Sequence, residues 1–295
     1  MHAFSNTSRL FKNIPFLIHR SVVELLGSSF MFLVSCCQDA TSKYATLAPR
    51  NFQPLNDIRF TLHASRITCL VLTMLCATAM PSFTEAQVIK SGPPSCPGVA
   101  LTFDLCPVRN GTGYDQALID YLIEQKIPAT FFMSGKWIVK HDRHVKALLQ
   151  VPFFEVGTHG EVHAHMPLHS AEEQKQEILG PVRLLKAKYH HDATLFRPPY
   201  GEFNEETVNV TRALGLQFIL WDVVSGDPDP TLTAIQIEGR LKRYVRKGSV
   251  IVMHANGKGK HTNEVVQDLH QHLLPERHLT PMTVSDLLNC SQAAP

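Results

Sequence analysis

Short apolar runs alternate with helical segments from residue 97 onward, and this alternation limits the fold more than any other feature of the sequence. Apolar runs rich in β-branched and aromatic residues are typical of strands buried on both faces of a parallel sheet. The segments between them repeat apolar residues every three or four positions, which is typical of helices packed on such a sheet. The predicted strands are Val99–Phe103, Ala129–Met133, Phe153–Val156, Leu195–Arg197, Gln217–Asp222, Ser249–Met253 and Leu279–Thr283.

Seven strand–helix units predict an α/β fold, and we favour a distorted (β/α)7 barrel that resembles a TIM barrel with one unit fewer. An open, doubly wound sheet is the alternative. A dinucleotide-binding sheet is disfavoured, because no G-x-G-x-x-G segment follows the first strand. Among the helices, Ser170 and Glu173 predict a capping box that opens a helix toward Tyr189, and Pro181 is expected to kink or split that helix.

Residues 1–86 lack the strand–helix alternation seen from residue 97 onward. They are expected to form a poorly structured N-terminal extension that includes a signal segment. Two apolar stretches, Leu25–Cys37 and Ile67–Ala79, each follow an arginine and are shorter than the ~20 residues of a membrane-spanning helix. A cationic start and a short apolar core are typical of secretory signals. The second stretch leads to Thr84-Glu85-Ala86, whose small residues favour cleavage after Ala86.

Two alternatives for this extension stay open. The first stretch ends Leu33-Val34-Ser35-Cys36, which resembles a bacterial lipoprotein box and would anchor the chain to a membrane surface. Both stretches could instead be buried helices of a small N-terminal domain. We favour a signal and therefore expect an exported protein, periplasmic or secreted, with no stable membrane span after processing. Such a compartment permits disulfides.

Composition and charge argue against a disordered chain and against a nucleic-acid-binding protein. The chain is 44% hydrophobic and 18% charged, which is typical of a globular protein. A formal net charge of +2 and the lack of a Lys/Arg stripe argue against a nucleic-acid partner. The seven cysteines include no C-x-x-C pair, so a structural zinc cluster is not expected.

Polar side chains follow the carboxyl ends of five predicted strands. In an α/β barrel the loops at that end converge on one rim, where active sites lie. Five placements at one rim therefore predict a functional site rather than scattered surface residues. These residues are Asp104 after the first strand, His159 and His163 after the third, Arg197 after the fourth, Asp222 and Asp227 after the fifth, and His254 after the sixth.

Each of these residues also has a simpler interpretation. His159 and His163 are four residues apart, so on a helical turn both imidazoles would face one metal ion, although a solvated helix face is the alternative. Asp104 closes a buried strand, where Arg197 could pair with it; an aspartate that caps the next loop is the alternative. His254 emerges from an apolar strand, either as a site residue or as a core histidine.

Taken together, these motifs resemble the polysaccharide deacetylase family, also called carbohydrate esterase family 4, over about residues 99–288. The resemblance implies a seven-unit distorted barrel, which agrees with the strand count. It also implies a hydrolase that acts on an acetylated polysaccharide or oligosaccharide and uses a divalent metal, expected to be zinc. The matching segments are Thr102-Phe103-Asp104, His159 with His163, Arg197-Pro198-Pro199-Tyr200-Gly201, Trp221–Asp227 and Ile251-Val252-Met253-His254.

The resemblance also implies one role for each matched residue, in acid–base chemistry, oxyanion binding or metal binding. The implied roles are Asp104 as catalytic base, Arg197 as the residue that holds this base, the Tyr200 backbone N–H as oxyanion donor, His254 as general acid, Asp227 as the residue that orients it, and His159 and His163 as metal ligands.

Two positions depart from the family pattern. Leu105 stands where the family has a second Asp that binds the metal, so a third ligand must come from water, Asp104 or His261. His261 lies in a Gly-rich stretch, residues 254–262, that could fold over the site as a lid. Pro228 stands where the family has Trp. The segment Thr-Phe-Asp-Leu-Cys resembles a bacterial subgroup, which favours a working variant.

Two cysteines are expected to pair. Cys96 precedes the first strand, at the bottom of the predicted barrel, and Cys290 ends the last helix, which returns to the same end. This placement predicts a Cys96–Cys290 disulfide. Cys106 follows the first strand and therefore lies at the opposite end, with the candidate site residues.

Two other functions compete with a polysaccharide deacetylase. A non-catalytic carbohydrate-binding barrel is favoured by Leu105 but not by an acid–base set such as Asp104, Arg197, Asp227 and His254, which binding alone does not need. A hydrolase of small cyclic amides or acetyl esters is the other alternative, and surface loops would decide it. N-acetyl and O-acetyl substrates both stay open.

Overall fold

The computed structural model describes residues 88–290, whose strands pair in parallel to form one sheet. Their order in that sheet is β1-β6-β5-β4-β3-β2-β8-β7, and β9 pairs with β2. The strands within this range are β1 (Val88–Ile89), β2 (Gly98–Leu105), β3 (Ala129–Met133), β4 (Phe154–Thr158), β5 (Leu195–Phe196), β6 (Gln217–Ile219), β7 (Val223–Val224), β8 (Val250–His254) and β9 (Thr280–Met282).

The sheet curls into a barrel because β6 and β7 are consecutive in the chain and pair with opposite margins of the sheet. β6 pairs with β5 and β1, whereas β7 pairs with β8. Between them, the Leu220 N–H donates to the Ile89 carbonyl (2.7 Å) and the Asp222 N–H to the Val250 carbonyl (3.2 Å). The predicted distorted parallel barrel is confirmed, and the open doubly wound sheet was wrong. The fifth predicted strand is split into β6 and β7, and β1 was not predicted.

Helices follow the strands and cover the outside of the sheet. They are α1 (Gln116–Glu124), α2 (Gly135–Lys140), α3 (Asp142–Leu149), α4 (Ala171–Tyr189), α5 (Glu205–Ala213), α6 (Ala234–Tyr244), α7 (Thr262–Asp268), α8 (Leu274–Glu276) and α9 (Val284–Leu288), with short 3-10 turns at Met166–Leu168 and Pro199–Gly201 and a π-helical segment at Leu269–Leu273.

The capping box of α4 is confirmed, since Ser170 Oγ accepts from the Glu173 N–H and the Glu173 side chain accepts from the Ser170 N–H. The expected split at Pro181 was wrong, because the helix continues through this residue to Tyr189. Pro181 belongs to the buried face of this helix together with Ile178 and Leu185, and packing of that face holds the helix together despite the lost hydrogen bond.

The chain between β3 and β4 forms two helices, α2 and α3, with a break at His141. The His141 backbone has φ −120°, outside the helical range. Its imidazole lies 2.8 Å from the Trp137 carbonyl and 3.0 Å from the Thr112 carbonyl. These contacts fix the His141 side chain at the junction of the two helices.

Strand alternation in β2 sorts its residues between two environments. All eight residues of β2 are buried. Leu101, Phe103 and Leu105 pack in the main apolar core with helix residues such as Leu118. Because successive side chains of a strand point to opposite faces, Asp104 points away from that core and into the barrel.

The sulfur atoms of Cys96 and Cys290 are bonded at 2.06 Å, with 5.9 Å between their Cα atoms. The bond joins the segment before β2 to the end of α9 across 194 residues of sequence. Within residues 88–290, no helix combines the length and the apolar character needed to cross a membrane. The predicted extension and signal segment, residues 1–86, lie outside the described residues. The predicted domain boundary after residue 86 therefore stays a prediction.

Removal of this disulfide is expected to lower the free energy of unfolding by about 2–5 kcal/mol, because the bond closes a long loop and limits the unfolded chain. Urea unfolding of the wild type with and without reductant measures the change. The double variant Cys96→Ser/Cys290→Ser is the control and should unfold at the same urea concentration with or without reductant. Equal midpoints for oxidised and reduced wild type would contradict the prediction.

Candidate active site

The register between β2 and β8 brings two of the site residues side by side. Asp104 and His254 are direct partners in the parallel ladder, at the carboxyl ends of their strands. An open cleft of about 340 Å³ lies at this end of the barrel. It is lined by Asp104, Cys106, His159, His163, Tyr200, Trp221, Val224, Ser225, Gly226, Asp227, Pro228, Asp229, Val252, His254 and Lys258.

Asp104 is buried and paired with a fully buried arginine. Arg197 Nη1 donates to Asp104 Oδ1 at 2.8 Å, and Arg197 Nη2 donates to the Leu220 carbonyl at 3.1 Å. The guanidinium lies over the Phe132 ring, 4.0 Å from its centroid. Burial alone would raise the pKa of Asp104, but the charges of His159 and Arg197 lower this pKa below its usual value. Asp104 is therefore an ionised carboxylate inside the barrel.

The Asp227 carboxylate holds His254, and each of its oxygens has two hydrogen-bond partners. Asp227 Oδ1 lies 3.0 Å from His254 Nδ1, and Asp227 Oδ2 accepts from the His254 N–H at 2.7 Å. Ser225 Oγ and Thr262 Oγ1 also donate to Asp227, at 3.0 and 2.8 Å. With Nδ1 engaged, the other ring nitrogen of His254 is left for the cleft.

The same environment favours a protonated His254. Burial alone would lower its pKa, but hydrogen bonds to Asp227 and to Cys106, with the charges of Asp227 and Asp104, raise the pKa of His254 to about 10. The site therefore holds a carboxylate base and an imidazolium acid on neighbouring strands. Groups whose environments push their pKa values apart in this way are typical of acid–base catalysis.

His159 and His163 follow β4, and their ring centroids lie 5.0 Å apart. The expected helical turn was wrong. Gly160 has φ +71° and His163 has φ +66°, so two residues in the left-handed region turn the chain back and bring the rings together. His159 Nδ1 lies 2.9 Å from the Arg197 carbonyl, which can only accept, so Nδ1 carries a proton; Nε2 lies 3.6 Å from Asp104 Oδ2, on the side where a metal ion could bind.

The structure does not place His261 with these histidines. His261 lies at the beginning of α7, and its Nδ1 is 3.2 Å from Glu264 Oε2, a partner three residues along the same helix. The position beside the histidines is taken by Cys106. Within residues 88–290, the Cys106, His159 and His163 side chains each offer a ligand atom within 4.8 Å of the others. Two imidazoles and a sulfur are donors that suit a divalent ion such as zinc.

Tyr200 forms one wall of the cleft. It lies in a turn after β5, with φ +60°, a conformation that is costly for a residue with a side chain. Its ring is half exposed and stacks on His165, with 4.2 Å between centroids and 3° between planes. The next residue, Gly201, must lack a side chain, because a Cβ there would lie 2.6 Å from the Trp221 ring. The turn is thus fixed by its neighbours, with an exposed aromatic face toward the cleft.

Asp222, one of the rim residues expected from the sequence, lies toward the opposite end of β8. Its Oδ1 accepts from the Val250 N–H at 2.8 Å, and its Oδ2 lies 3.0 Å from Arg246 Nη2. Val250 is the first residue of β8, whereas His254 is the last. The split between β6 and β7 accounts for the difference, since Asp222 falls inside the break rather than after a continuous strand.

Three contributors to the site were missed from the sequence. Ser225 and Thr262 hold Asp227, and their short hydroxyl side chains carry no spacing that marks them. Cys106 was placed at this end of the barrel but not assigned to the site. Its position two residues after Asp104 is a usable signal, because residues two apart in a strand share a face.

The model of the family described as polysaccharide deacetylase matches residues 91–219. A peptidoglycan-N-acetylglucosamine deacetylase of Bacillus cereus is 27% identical over 194 residues, 64% of this chain and 87% of that protein. A bifunctional xylanase/xylan deacetylase of Cellvibrio japonicus is 29% identical over 59% of this chain, but the matched part is only 25% of that protein.

Two solved structures are similar in fold. A carbohydrate esterase family 4 pseudoenzyme of Bacillus anthracis superposes with a TM-score of 0.63 at 24% identity, covering 71% of this chain and 70% of that one. A family 4 carbohydrate esterase of Streptomyces lividans, in complex with acetate, gives a TM-score of 0.55 at 28% identity and covers 62% of this chain and 91% of that one. With its parallel barrel, the order of its motifs and the family-model match over residues 91–219, the chain carries a domain of the polysaccharide deacetylases, which are hydrolases.

Proposed function

We propose that this chain is a metal-dependent deacetylase that removes acetyl groups from the amino sugars of a polysaccharide. The observation that carries the proposal is the pairing, across neighbouring strands β2 and β8, of a carboxylate held by Arg197 with an imidazolium held by Asp227. A binding protein needs neither group in a defined protonation state. Amide hydrolysis needs both, one to take a proton from water and one to protonate the leaving nitrogen.

The residues act in a defined order in this mechanism. Asp104, ionised, accepts a proton from the water that attacks the acetyl carbonyl. The Tyr200 backbone N–H donates to the oxyanion that forms, in a turn whose geometry is already fixed. His254 then protonates the leaving nitrogen, and Asp227 stabilises the imidazolium and its direction. Acetate and a free amino sugar are the products.

A divalent ion held by His159 and His163 would supply a Lewis acid that polarises the carbonyl and lowers the pKa of water. The two imidazoles suit this role, because His159 is oriented by the Arg197 carbonyl behind it, as metal-binding histidines generally are. Zinc is the ion we propose. The aromatic wall formed by Tyr200 and Trp221 supports a sugar substrate, since flat rings pack against sugar faces.

The names of the relatives favour a glycan as the substrate but do not identify which glycan it is. The Bacillus cereus relative acts on peptidoglycan by its name, and another relative, from Saccharomyces cerevisiae, is named chitin deacetylase 2. The Cellvibrio japonicus relative is named a bifunctional xylanase/xylan deacetylase. We favour an N-acetyl substrate, because a protonated His254 is needed to expel an amine more than to expel an alcohol.

A carbohydrate-binding barrel without activity is the second candidate. Leu105 favours it, since the family's usual metal-binding Asp is absent at that position, and a pseudoenzyme shares the fold. The buried Asp104 argues against it, because an ionised carboxylate is costly to bury and a binding site has no use for it.

Replacement of the base separates the two candidates. We expect Asp104→Asn to lower acetate release from acetylated chitin oligomers by about 10³-fold, since general-base catalysis contributes roughly 10²–10⁴-fold. Asn keeps an oxygen acceptor for Arg197, so the fold should survive, as circular dichroism will check. Asp192→Asn, an exposed carboxylate paired only with Lys186, is the matched control and should keep full activity. Full activity of Asp104→Asn would contradict the assigned base, and no activity of the wild type on a panel of acetylated glycans would favour the binding barrel.

Metal removal is the second test. We expect dialysis against a chelator to abolish acetate release and zinc to restore it, with about one zinc per chain by elemental analysis. Circular dichroism should show that the metal-free chain remains folded, since the disulfide and the apolar core do not depend on the ion. Undiminished activity in a preparation shown to contain no metal would contradict metal dependence.

We also propose that the protein is exported. The Cys96–Cys290 disulfide supports export, because such bonds persist in oxidising compartments. Expression of the full chain in a bacterial host should yield, outside the cytoplasm, a protein whose N-terminal residue is Gln87, following cleavage after Ala86. Recovery of the intact chain from Met1 in the cytoplasm alone would contradict the proposal.

A further inference from the structure

Cys106 has no part in the reaction described above, yet it lies at the centre of the site. Its side chain is 1% exposed, and it is the free cysteine of residues 88–290. It follows Asp104 by two residues, just after the end of β2, and both residues line the cleft. Its carbonyl accepts from Asn256 Nδ2 at 3.1 Å, so the backbone at this position is fixed by a second, buried side chain.

The ligand atoms of Cys106, His159 and His163 already lie close enough to share an ion. All are within 4.8 Å of one another. A tetrahedral centre with zinc–sulfur bonds of about 2.3 Å and zinc–nitrogen bonds of about 2.0 Å needs ligand atoms roughly 3.5 Å apart. Contraction by about 1 Å is within reach of side-chain rotation. Three ligands of this kind leave a fourth position for water or substrate, as catalytic zinc sites do.

We propose that the Cys106 thiolate is the third protein ligand of the metal, in place of the carboxylate missing at Leu105. Leu105 points into the apolar core, whereas the next residue returns to the site face and carries a sulfur. The thiolate brings the same single negative charge as a carboxylate. It also changes the preference of the centre, since sulfur favours zinc and cobalt over magnesium, calcium or manganese.

This inference rests on the proposed function only for the location of the ion, and it can be tested without turnover. The full chain is used with four cysteines outside the described residues replaced by serine, so that Cys106 is its free thiol; these are Cys36, Cys37, Cys69 and Cys76. The metal-free protein is titrated with Co²⁺. We expect one ion per chain, a near-ultraviolet absorption band from thiolate-to-cobalt charge transfer, and visible bands of a four-coordinate ion.

Two variants at one position separate a ligand from a buried thiol. Cys106→Ser should lose the near-ultraviolet band and weaken Co²⁺ binding by about 100-fold or more, since loss of even an outer-shell partner costs about 10–100-fold. Cys106→Asp should also lose the band but keep one ion per chain, with relatively tighter Mn²⁺ binding than the parent chain. His261→Ala is the matched control and should leave the spectrum unchanged.

Several outcomes would overturn the assignment. The parent chain could bind Co²⁺ without a thiolate band, or Cys106→Ser could bind it with unchanged affinity and spectrum. If Cys106→Ser does not fold, the spectrum of the parent chain and the behaviour of Cys106→Asp decide the question. Acetate release from the zinc-loaded parent chain is measured in parallel. A thiolate band without acetate release overturns the proposed function alone, and acetate release without the band overturns the Cys106 assignment alone.

Discussion

The buried ion pair between Asp104 and Arg197 is the interaction on which the rest of the site depends. It joins the end of β2 to the end of β5; the Arg197 side chain is fully buried, and only 5% of the Asp104 side chain is exposed, toward the cleft. Two buried charges cost several kcal/mol each, and their attraction offsets this cost only with good geometry. Here the guanidinium donates to both the carboxylate and the Leu220 carbonyl and lies over the Phe132 ring. Replacing a buried ion pair by apolar residues is often neutral or stabilising, so the retention of these charges points to chemistry rather than to stability.

The other contacts of the site follow from the same strand ends. The Arg197 carbonyl orients His159, so a single residue holds the Asp104 carboxylate with its side chain and the His159 imidazole with its backbone. On the other side of β2, the ladder with β8 sets His254 beside Asp104, and Asp227 fixes the direction of its ring. The positions of Asp104, His159 and His254 therefore depend on the same strand ends.

The barrel and most site residues could be predicted because apolar runs mark parallel strands and their carboxyl ends share one rim. Predictions based on local geometry were less successful. His159 and His163 converge through left-handed residues, which four-residue spacing does not reveal, and His261 bonds Glu264 on its own helix. The place of Cys106 depends on which side chains lie across the barrel from it. Spacing along one strand indicates its face but not its distance from two histidines on a distant loop.

The central claim is that Asp104 and Arg197 interact as a buried, charged pair, and a double-mutant cycle on stability tests it directly. Arg197→Met should lower the free energy of unfolding by about 3–5 kcal/mol, because it leaves an uncompensated buried carboxylate. In the background of Asp104→Leu the same change should cost far less, giving a coupling energy of about 2–3 kcal/mol by urea unfolding. Equal costs of Arg197→Met in both backgrounds would contradict the account, since Asp104 would then be neither charged nor held by Arg197.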